Sequence, residues 1–349
     1  MGSSDGGWAV WCGPQEYRDT IPWEEYPSRF GQLELPPSDP AALTSIEWPG
    51  GDASSEDMCA AVELCLGVME RDGAVILAHA VSDETMDMYM ESLRPYNGED
   101  GESADGDGPA ECGSVLARSR LALPLVAHPC VMGVCEGVLG RQVLTMDEAE
   151  LQRRLRLAGT EDTERIPWQL QVQAFIGKPP HQKPQLLHRD GEYLMVQLPG
   201  DQIEHEISCI WATHDFTNAQ GATRAVKGSH RWPRHRQPLM SESVGAEMSK
   251  GSVVMYAGHT LHGAGENTTD DWRIAMNFDY VPRFIKAECH MALEIPPTIA
   301  RYLPEPLVEL AGYRSRGEVE EACWLREKCD EAAALAAAAA TTTETGSKL

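Results

Sequence analysis

An imidazole and a carboxylate lie two residues apart in the segment Leu187–Gly191, as His188 and Asp190. In an extended strand, residues i and i+2 project to the same side, so both side chains can reach one metal ion. A His-x-Asp pair also recurs by chance in many proteins and is a weak signal on its own. The pair therefore predicts a metal site only if a further ligand follows along the chain.

Further ligands are offered by the segment Gly258–Asn267, which contains His259 and His262. Two histidines and one carboxylate can form a facial triad that leaves three positions of an iron ion open. This arrangement suits a reaction in which a bidentate cosubstrate and O2 bind together. His188 and His262 could instead be hydrogen-bonded core histidines, and His259 competes with His262 for the third position.

Charge restricts the class of partner. The 349 residues include 54 acidic and 29 basic side chains, a formal net charge of -25. This charge repels phosphate backbones at long range, so the sequence argues against a nucleic-acid partner. The basic run His230–Arg236 could meet an anionic substrate group or form an ordinary solvated loop.

The sequence predicts a soluble protein with reduced cysteines. Its ten cysteines include no C-x-x-C pair, and its first residues lack the apolar stretch of a signal peptide. No run approaches the roughly 18 apolar residues of a membrane span.

The elements that must position the candidate ligands begin after residue 54. Apolar residues at helical spacing predict a helix from Ser55 that stops at Gly73, and Ala74–Leu77 predicts a buried strand. Ser82 then caps a second helix. Residues 97–113 are too polar and glycine-rich to bury, and could form a lid or a disordered loop.

From about 167 to 281, short apolar segments separated by turn signals predict an antiparallel sheet. In Ile274–Tyr280 the large apolar residues alternate with small or polar ones. Arg273, Asn277 and Asp279 alternate with the large apolar residues and share the more polar face of this strand. A barrel-like sheet could point them into an internal pocket.

The chain contains several motifs in the same order as the phytanoyl-CoA dioxygenase family of 2-oxoglutarate oxygenases, and it resembles this family from about Met69 to about Gly312. The resemblance is carried by the segments Asp72–Leu77, Ile176–Pro180, Gln185–Asp190, Ile210–Phe216, Asn218–Arg224 with Lys227–His230, and Leu261–Asn267 with Trp272 and Arg273. It implies a mainly β fold with flanking helices, the double-stranded β-helix or jelly-roll (cupin-like) barrel. The implied organisation is an irregular N-terminal arm over 1–54, the dioxygenase domain over 55–313, and a C-terminal helix and flexible tail over 314–349.

The resemblance also implies the iron ligands, which are His188, Asp190 and His262. His262 is preferred to His259 because Leu261–Gly265 fits the family motif. Arg273, eleven residues after His262, matches the arginine that pairs with the far carboxylate of 2-oxoglutarate. An arginine suits this contact because its planar fork binds a carboxylate through two hydrogen bonds.

Three further positions resemble residues that contact the cosubstrate in the family. Gln185 matches a contact residue, while Trp211 and Thr223 match residues that wall the cosubstrate and hydrogen-bond its chain. Trp211 and Thr223 could equally be ordinary core residues.

The predicted function is an Fe(II)/2-oxoglutarate-dependent dioxygenase that uses O2, with ascorbate as an optional supporting reductant. It would hydroxylate an unactivated C–H bond of a small-molecule metabolite and release succinate and CO2. One alternative is an acyl-CoA 2-hydroxylase, and another is a barrel that binds a ligand or metal without turnover. Asp190 argues against a halogenase, because the related halogenases lack this carboxylate.

The sequence ends in Ser347-Lys348-Leu349, the tripeptide recognised by the peroxisomal import receptor. It predicts a peroxisomal location, with the cytoplasm as the alternative.

Overall fold

The computed structural model describes residues 33–50, 53–97, 112–140, 166–190, 204–233 and 236–313. Most of the arm, most of the glycine-rich segment 97–113, the predicted C-terminal helix and the C-terminal tripeptide lie outside the described residues. The expectations for those parts, including the peroxisomal location, stay predictions.

The first long helix forms where its apolar spacing predicts. Helix α1 covers Ser55–Asp72, and the Ser54 side chain accepts a hydrogen bond from the Asp57 amide while the Asp57 side chain accepts one from the Ser54 amide. This reciprocal cap satisfies donors that would otherwise lack partners in the first turn. Gly73 ends the helix in the left-handed conformation, with φ of 78°. The helix start and stop predicted from the sequence are therefore confirmed.

Gly73 also lies close to the residues that precede the last candidate ligand. A Cβ at this position would overlap His230 Nδ1 and lie 2.5 Å from Thr260 Oγ1. Gly50 has a φ of +88° but no heavy atom within 4 Å of such a Cβ. We expect Gly73→Ala to lower the free energy of unfolding by about 1 to 3 kcal/mol more than Gly50→Ala, because only Gly73 adds overpacking to the backbone cost. Urea denaturation of the two variants measures the difference, and equal losses would contradict it.

The other helices form a layer on one side of the molecule. Helix α2 covers Asp83–Asn97, with Ser82 Oγ accepting from the Thr85 amide as its predicted cap. Short α-helices follow at Val115–Arg118 (α3), Leu123–Val126 (α4), Pro129–Cys135 (α5), Met291–Glu294 (α6), Pro297–Ala300 (α7) and Glu305–Leu310 (α8). In the part of the chain that the structure describes, no single helix is long and apolar enough to cross a membrane. The bent pair Arg120–Val126 and Pro129–Gly140 meets that test only when its two pieces are taken together.

Two sheets face each other. The strands are β1 Ser45–Glu47, β2 Ala74–Ala78, β3 Cys112–Gly113, β4 Trp168–Lys178, β5 Ile207–Ala212, β6 Thr223–Ala225, β7 Val244–Gly245, β8 Val253–Ala257, β9 His262–Ala264 and β10 Arg273–Pro282. The larger sheet has the order β1-β2-β8-β5-β10-β4-β3, and the smaller has β7-β6-β9. Every described pairing is antiparallel except β1 with β2. The described strands form the jelly-roll architecture with flanking helices, but their hydrogen bonds do not close a barrel.

Alternate side chains along the strands of the larger sheet belong to two different apolar cores, one on each face of the sheet. The larger apolar core lies between the seven-stranded sheet and the helices and includes Met276, Phe278 and Tyr280 of β10. The smaller core lies between the two sheets and includes Ala275. Because side chains of alternate parity point to opposite faces, Arg273, Asn277 and Asp279 belong to the inner face. The inward parity predicted for them is confirmed.

One part of the predicted irregular arm is regular. Ser45–Glu47 forms β1 and pairs in parallel with β2, with Ser45 opposite Ile76. A strand of three residues is too short to show a hydrophobic period, which is why the sequence pattern does not reveal it. The arm therefore adds an edge strand to the larger sheet.

Candidate metal and cosubstrate site

Three side chains from two chain segments meet at the edge of the smaller sheet. His188 and His262 form an antiparallel bridge in which each backbone amide donates to the other residue's carbonyl oxygen at 2.9 Å. The Asp190 amide donates to Gly258 O at 3.1 Å. The backbone therefore fixes the segment that carries His188 and Asp190 against the segment that carries His262.

The side chains of this trio offer a compact set of ligand atoms. One atom from each of His188, Asp190 and His262 lies within 4.8 Å of the others. Asp190 Oδ1 is 3.4 Å from His262 Nε2 and 3.9 Å from His188 Nε2. His262 is buried, whereas the His188 side chain is 39% exposed. The group is thus anchored on one side and accessible on the other, as a metal with open positions requires.

Both imidazoles are oriented by backbone carbonyl groups. His188 Nδ1 is 2.9 Å from Leu186 O, and His262 Nδ1 is 3.0 Å from Thr260 O. A carbonyl oxygen can only accept, so each Nδ1 carries a proton and donates, which leaves Nε2 as the ring nitrogen that can bind a metal. Both Nε2 atoms lie near Asp190 Oδ1, and the donor set of two imidazoles and one carboxylate fits Fe(II).

Asp190 is held as a carboxylate. Ser208 Oγ, on the inner face of β5, donates to Asp190 Oδ2 at 3.0 Å. Burial raises the pKa of Asp190, but the neighbouring His262 and His188 and the Ser208 hydrogen bond outweigh it and lower the pKa below its ordinary value. Burial lowers the pKa of His262, and Asp190 more than compensates and raises it. Oδ1 is therefore left as the oxygen that faces the histidines.

Ser208 supplies a prediction about metal affinity. Ser208→Ala removes the donor that orients Asp190, so we expect Fe(II) affinity to fall by about tenfold, within the range for residues that support metal ligands. Ser92→Ala removes a hydroxyl on α2 that is hydrogen-bonded to Ser119, and it should leave the affinity unchanged. A metal-binding titration of both variants tests this, and equal affinities would show that Ser208 does not position Asp190.

Arg273 begins β10 on the inner face of the larger sheet. It is 5% exposed, its Nε has no hydrogen-bond partner, and its guanidinium lies 5.2 Å from the centre of the Phe216 ring. Burial lowers the pKa of Arg273 to about 10. No described carboxylate pairs with it, and a buried charge without a partner is costly. The observation fits a site for an anionic ligand, such as the far carboxylate of 2-oxoglutarate.

Two of the three other residues predicted to contact the cosubstrate, Thr223 and Gln185, differ in their exposure. Thr223 is buried and shares its strand parity with Ala225, which belongs to the core between the sheets. Gln185 is exposed, and its Oε1 accepts from the Ala264 amide at 2.9 Å, which ties its segment to β9.

Trp211 requires a correction. It lies in the larger core, on the opposite face of β5 from Ser208, with its ring 5.8 Å from His128. The structure does not bring Trp211 to the candidate ligands, because its odd parity on β5 points it toward the helices. The motif alone does not reveal this face.

A second buried cluster lies behind the first. His259 Nδ1 is 3.1 Å from Glu204 Oε2, and His205 Nε2 is 2.8 Å from Asp190 O. Ligand atoms of Glu204, His205 and His259 also lie within 4.8 Å of one another. Glu204 Oε1 already accepts from the backbone amides of His205 and Glu206. We interpret the cluster as a hydrogen-bonded support for the Asp190 segment, and His259 is not part of the trio.

Sequence reasoning missed three residues that touch the trio. Ser208 and His205 bind Asp190, and the Tyr256 ring lies 4.2 Å from the His262 ring. The only available signal for Ser208 was a small polar residue within an otherwise apolar strand. His205 and Tyr256 carry no such signal, since their contacts depend on which strands become neighbours.

Known proteins resemble the chain in sequence and, more weakly, in structure. The sequence profile of the phytanoyl-CoA dioxygenase (PhyH) family matches residues 69–275. Dioxygenase FUM3 of Gibberella moniliformis is 35% identical over 139 residues, 39% of this chain and 46% of that protein. Dioxygenase swnH1 of Arthroderma benhamiae is 25% identical over 303 residues, 80% of this chain and 90% of that protein.

Among solved structures, the α-ketoglutarate-dependent epimerase SnoN from nogalamycin biosynthesis aligns with a TM-score of 0.46 at 20% identity. This alignment covers 64% of this chain and 82% of SnoN.

Proposed function

The chain belongs to the phytanoyl-CoA dioxygenase family of Fe(II)/2-oxoglutarate dioxygenases, and from this membership we propose that it hydroxylates an unactivated C–H bond of a small-molecule metabolite. The observation that carries the proposal is the convergence of His188, Asp190 and His262 within 4.8 Å, in a chain whose buried Arg273 has no described carboxylate partner. We assign the trio as the Fe(II) ligands and Arg273 as the 2-oxoglutarate anchor.

The residues of the site would hold the metal and keep its ligand atoms in position. His188, Asp190 and His262 would hold the metal through Nε2, Oδ1 and Nε2, with the backbone carbonyls and Ser208 keeping these atoms in place. Bound Fe(II), together with 2-oxoglutarate and O2, supplies the oxidant for the C–H bond while the cosubstrate becomes succinate and CO2.

Arg273 and the core between the sheets would define the cosubstrate cavity. Arg273 would orient 2-oxoglutarate through its far carboxylate, and the buried Thr223 would contact the chain of the same molecule. The apolar residues of this core, including Ile210, Ala212 and Ala275, exclude water from the space between the sheets. A dry cavity strengthens the pairing of arginine with carboxylate and limits competing reactions.

An acyl-CoA substrate is a weaker alternative, because the phosphates of coenzyme A would need a basic surface. Of the run His230–Arg236, His230 is buried with its Nε2 3.2 Å from Glu70 O. Arg236 pairs with Glu242 at 2.8 Å and lies over the Trp232 ring. These described members are engaged within the protein, which favours a substrate without phosphate groups.

Oxygen labelling tests the proposal. Protein supplied with Fe(II), 2-oxoglutarate and ¹⁸O2 is expected to release succinate and, with its substrate, to place one labelled oxygen atom in succinate and one in the product. Acyl-CoAs, amino acids, amines and terpenoid scaffolds form the substrate panel. Desaturation or ring closure would give unlabelled product. Fe(II) and 2-oxoglutarate binding with no succinate under any condition would instead support a non-catalytic barrel.

A further inference from the structure

Four buried oxygen atoms without hydrogen-bond partners line the inner face of the larger sheet around Ser208. They are Asp279 Oδ1 and Asn277 Oδ1 of β10, Gln171 Oε1 of β4, and Glu206 Oε2 just before β5. We call these four residues the acceptor group. Asp279, Glu206 and Gln171 are each at most 6% exposed, and Asn277 is partly exposed.

The strand register places this group beside the candidate metal. Asp279 is opposite Ser208 in the β10–β5 pairing, and Ser208 Oγ donates to Asp190. Glu206 shares the parity of Ser208 two residues earlier. Gln171 lies at the β-bulge where the β10–β4 register shifts between Asp279 and Tyr280. Asp279 is six residues from Arg273, roughly 20 Å along the strand, so the two side chains are too far apart to bind the same small charged group.

The hydrogen bonds within the group leave only acceptors free. Asn277 Nδ2 donates to Asp279 Oδ2 at 2.9 Å, and Gln171 Nε2 is 3.4 Å from Glu206 Oε1. Each amide must turn its nitrogen toward the neighbouring carboxylate, since an ionised carboxylate can only accept. The oxygen atoms that remain are therefore all acceptors, and a ligand that satisfies them must bring donors.

The charges around the acceptor group favour a ligand that is a cation. Burial and the neighbouring Asp190 raise the pKa of Asp279 to about 8, and burial raises the pKa of Glu206, as expected for carboxyl groups without a cationic partner. Fe(II), dianionic 2-oxoglutarate, Asp190 and Arg273 together form a neutral set, so a further cation would be needed to stabilise the charged forms of Asp279 and Glu206. Two described cations of the inner face, Arg273 and Lys178, are opposite each other in the β4–β10 register, six residues along β10 from Asp279. Buried charges are stable in proteins when they are paired. The net charge of -25 also attracts cations and repels anions at long range.

We propose that the acceptor group binds a protonated amine of the substrate, so that the enzyme oxidises a carbon near a cationic nitrogen. An ammonium group offers up to three donors and one positive charge, which matches the free oxygens and the carboxylates of Asp279 and Glu206. This inference rests on the proposed function, because the amine is placed relative to the iron that His188, Asp190 and His262 would hold. It accounts for a carboxylate pair that iron and cosubstrate binding leave unused.

The test compares three probes of equal length on the enzyme loaded with Fe(II) and 2-oxoglutarate without O2. The probes are n-octylamine, n-octanol and n-octanoate, and each is titrated while the iron-to-cosubstrate charge-transfer absorption is recorded. The expected result is half-saturation by the amine at a concentration at least about tenfold below that of the alcohol, with the carboxylate weakest. Equal affinities, or tighter binding of the alcohol or the carboxylate, would overturn the inference and indicate protonated acids in the acceptor group.

Two variants link the preference to the named carboxylates. Asp279→Asn and Glu206→Gln keep the side-chain volume and should each weaken the amine about tenfold without changing the alcohol. Asp87→Asn alters an exposed carboxylate that pairs with Lys250 and is the matched control. A retained amine preference in both site variants would also overturn the inference.

If the absorption band never forms in the native protein, the proposed function fails and the inference falls with it. If the band forms without an amine preference, only the inference fails.

Discussion

Replacing Asp190 by alanine is expected to reduce succinate formation from 2-oxoglutarate to background, a loss of about a thousandfold or more. Asp190 Oδ1 is the oxygen that lies 3.4 Å from His262 Nε2 and 3.9 Å from His188 Nε2. Without it, two imidazoles remain, and they cannot hold iron in facial geometry. Iron content by mass spectrometry and succinate release, measured on the same sample, should fall together.

Two further substitutions make this result interpretable. Asp190→Glu keeps the charge but moves the carboxylate, so activity should also fall. Asp270→Ala removes a 97% exposed carboxylate that pairs with His181, and it should behave as the native protein does. Full activity in Asp190→Ala would remove Asp190 from the metal site.

Replacing Arg273 by alanine is expected to weaken 2-oxoglutarate binding by about 2 to 5 kcal/mol, roughly 30-fold to several thousandfold. The guanidinium is buried, its Nε lacks a partner, and no described carboxylate neutralises it. A dicarboxylate would supply the missing charge and acceptors at once. Titration of the charge-transfer absorption of the Fe(II) complex gives the dissociation constant.

Arg273→Lys should bind with intermediate affinity, since lysine keeps the charge but loses the planar fork. Arg94→Ala serves as the control because Arg94 is 66% exposed and pairs with Glu91 on α2. An unchanged dissociation constant in Arg273→Ala would mean that another residue holds the far carboxylate.

The parts of the molecule that local pattern controls could be predicted from the sequence. Helix α1 begins and ends at its cap residues, and the alternation in β10 separates Phe278 from Asp279. The His188 and Asp190 pair follows from the period of a strand, and the family motif selects His262 over His259. Each of these features depends on neighbours in the chain or on a motif of fixed spacing.

The contacts that could not be predicted depend on which strands become neighbours. Ser208 reaches Asp190 because β5 lies between β8 and β10, and the sequence does not contain that order in any local form. Trp211 was expected at the cosubstrate, yet a motif does not state which face of a strand is inward. The acceptor group draws on β4, β10 and the residue just before β5, so its members come together only in the folded sheet.

The position of bound iron decides between the two clusters of potential ligands. Crystals grown without O2 in the presence of Fe(II) and 2-oxoglutarate, measured on both sides of the iron absorption edge, would locate the metal by its anomalous signal. We expect one peak bonded to Nε2 of His188, Oδ1 of Asp190 and Nε2 of His262, with the far carboxylate of 2-oxoglutarate on Arg273. A peak at Glu204, His205 and His259, or no peak at the first trio, would contradict the assignment.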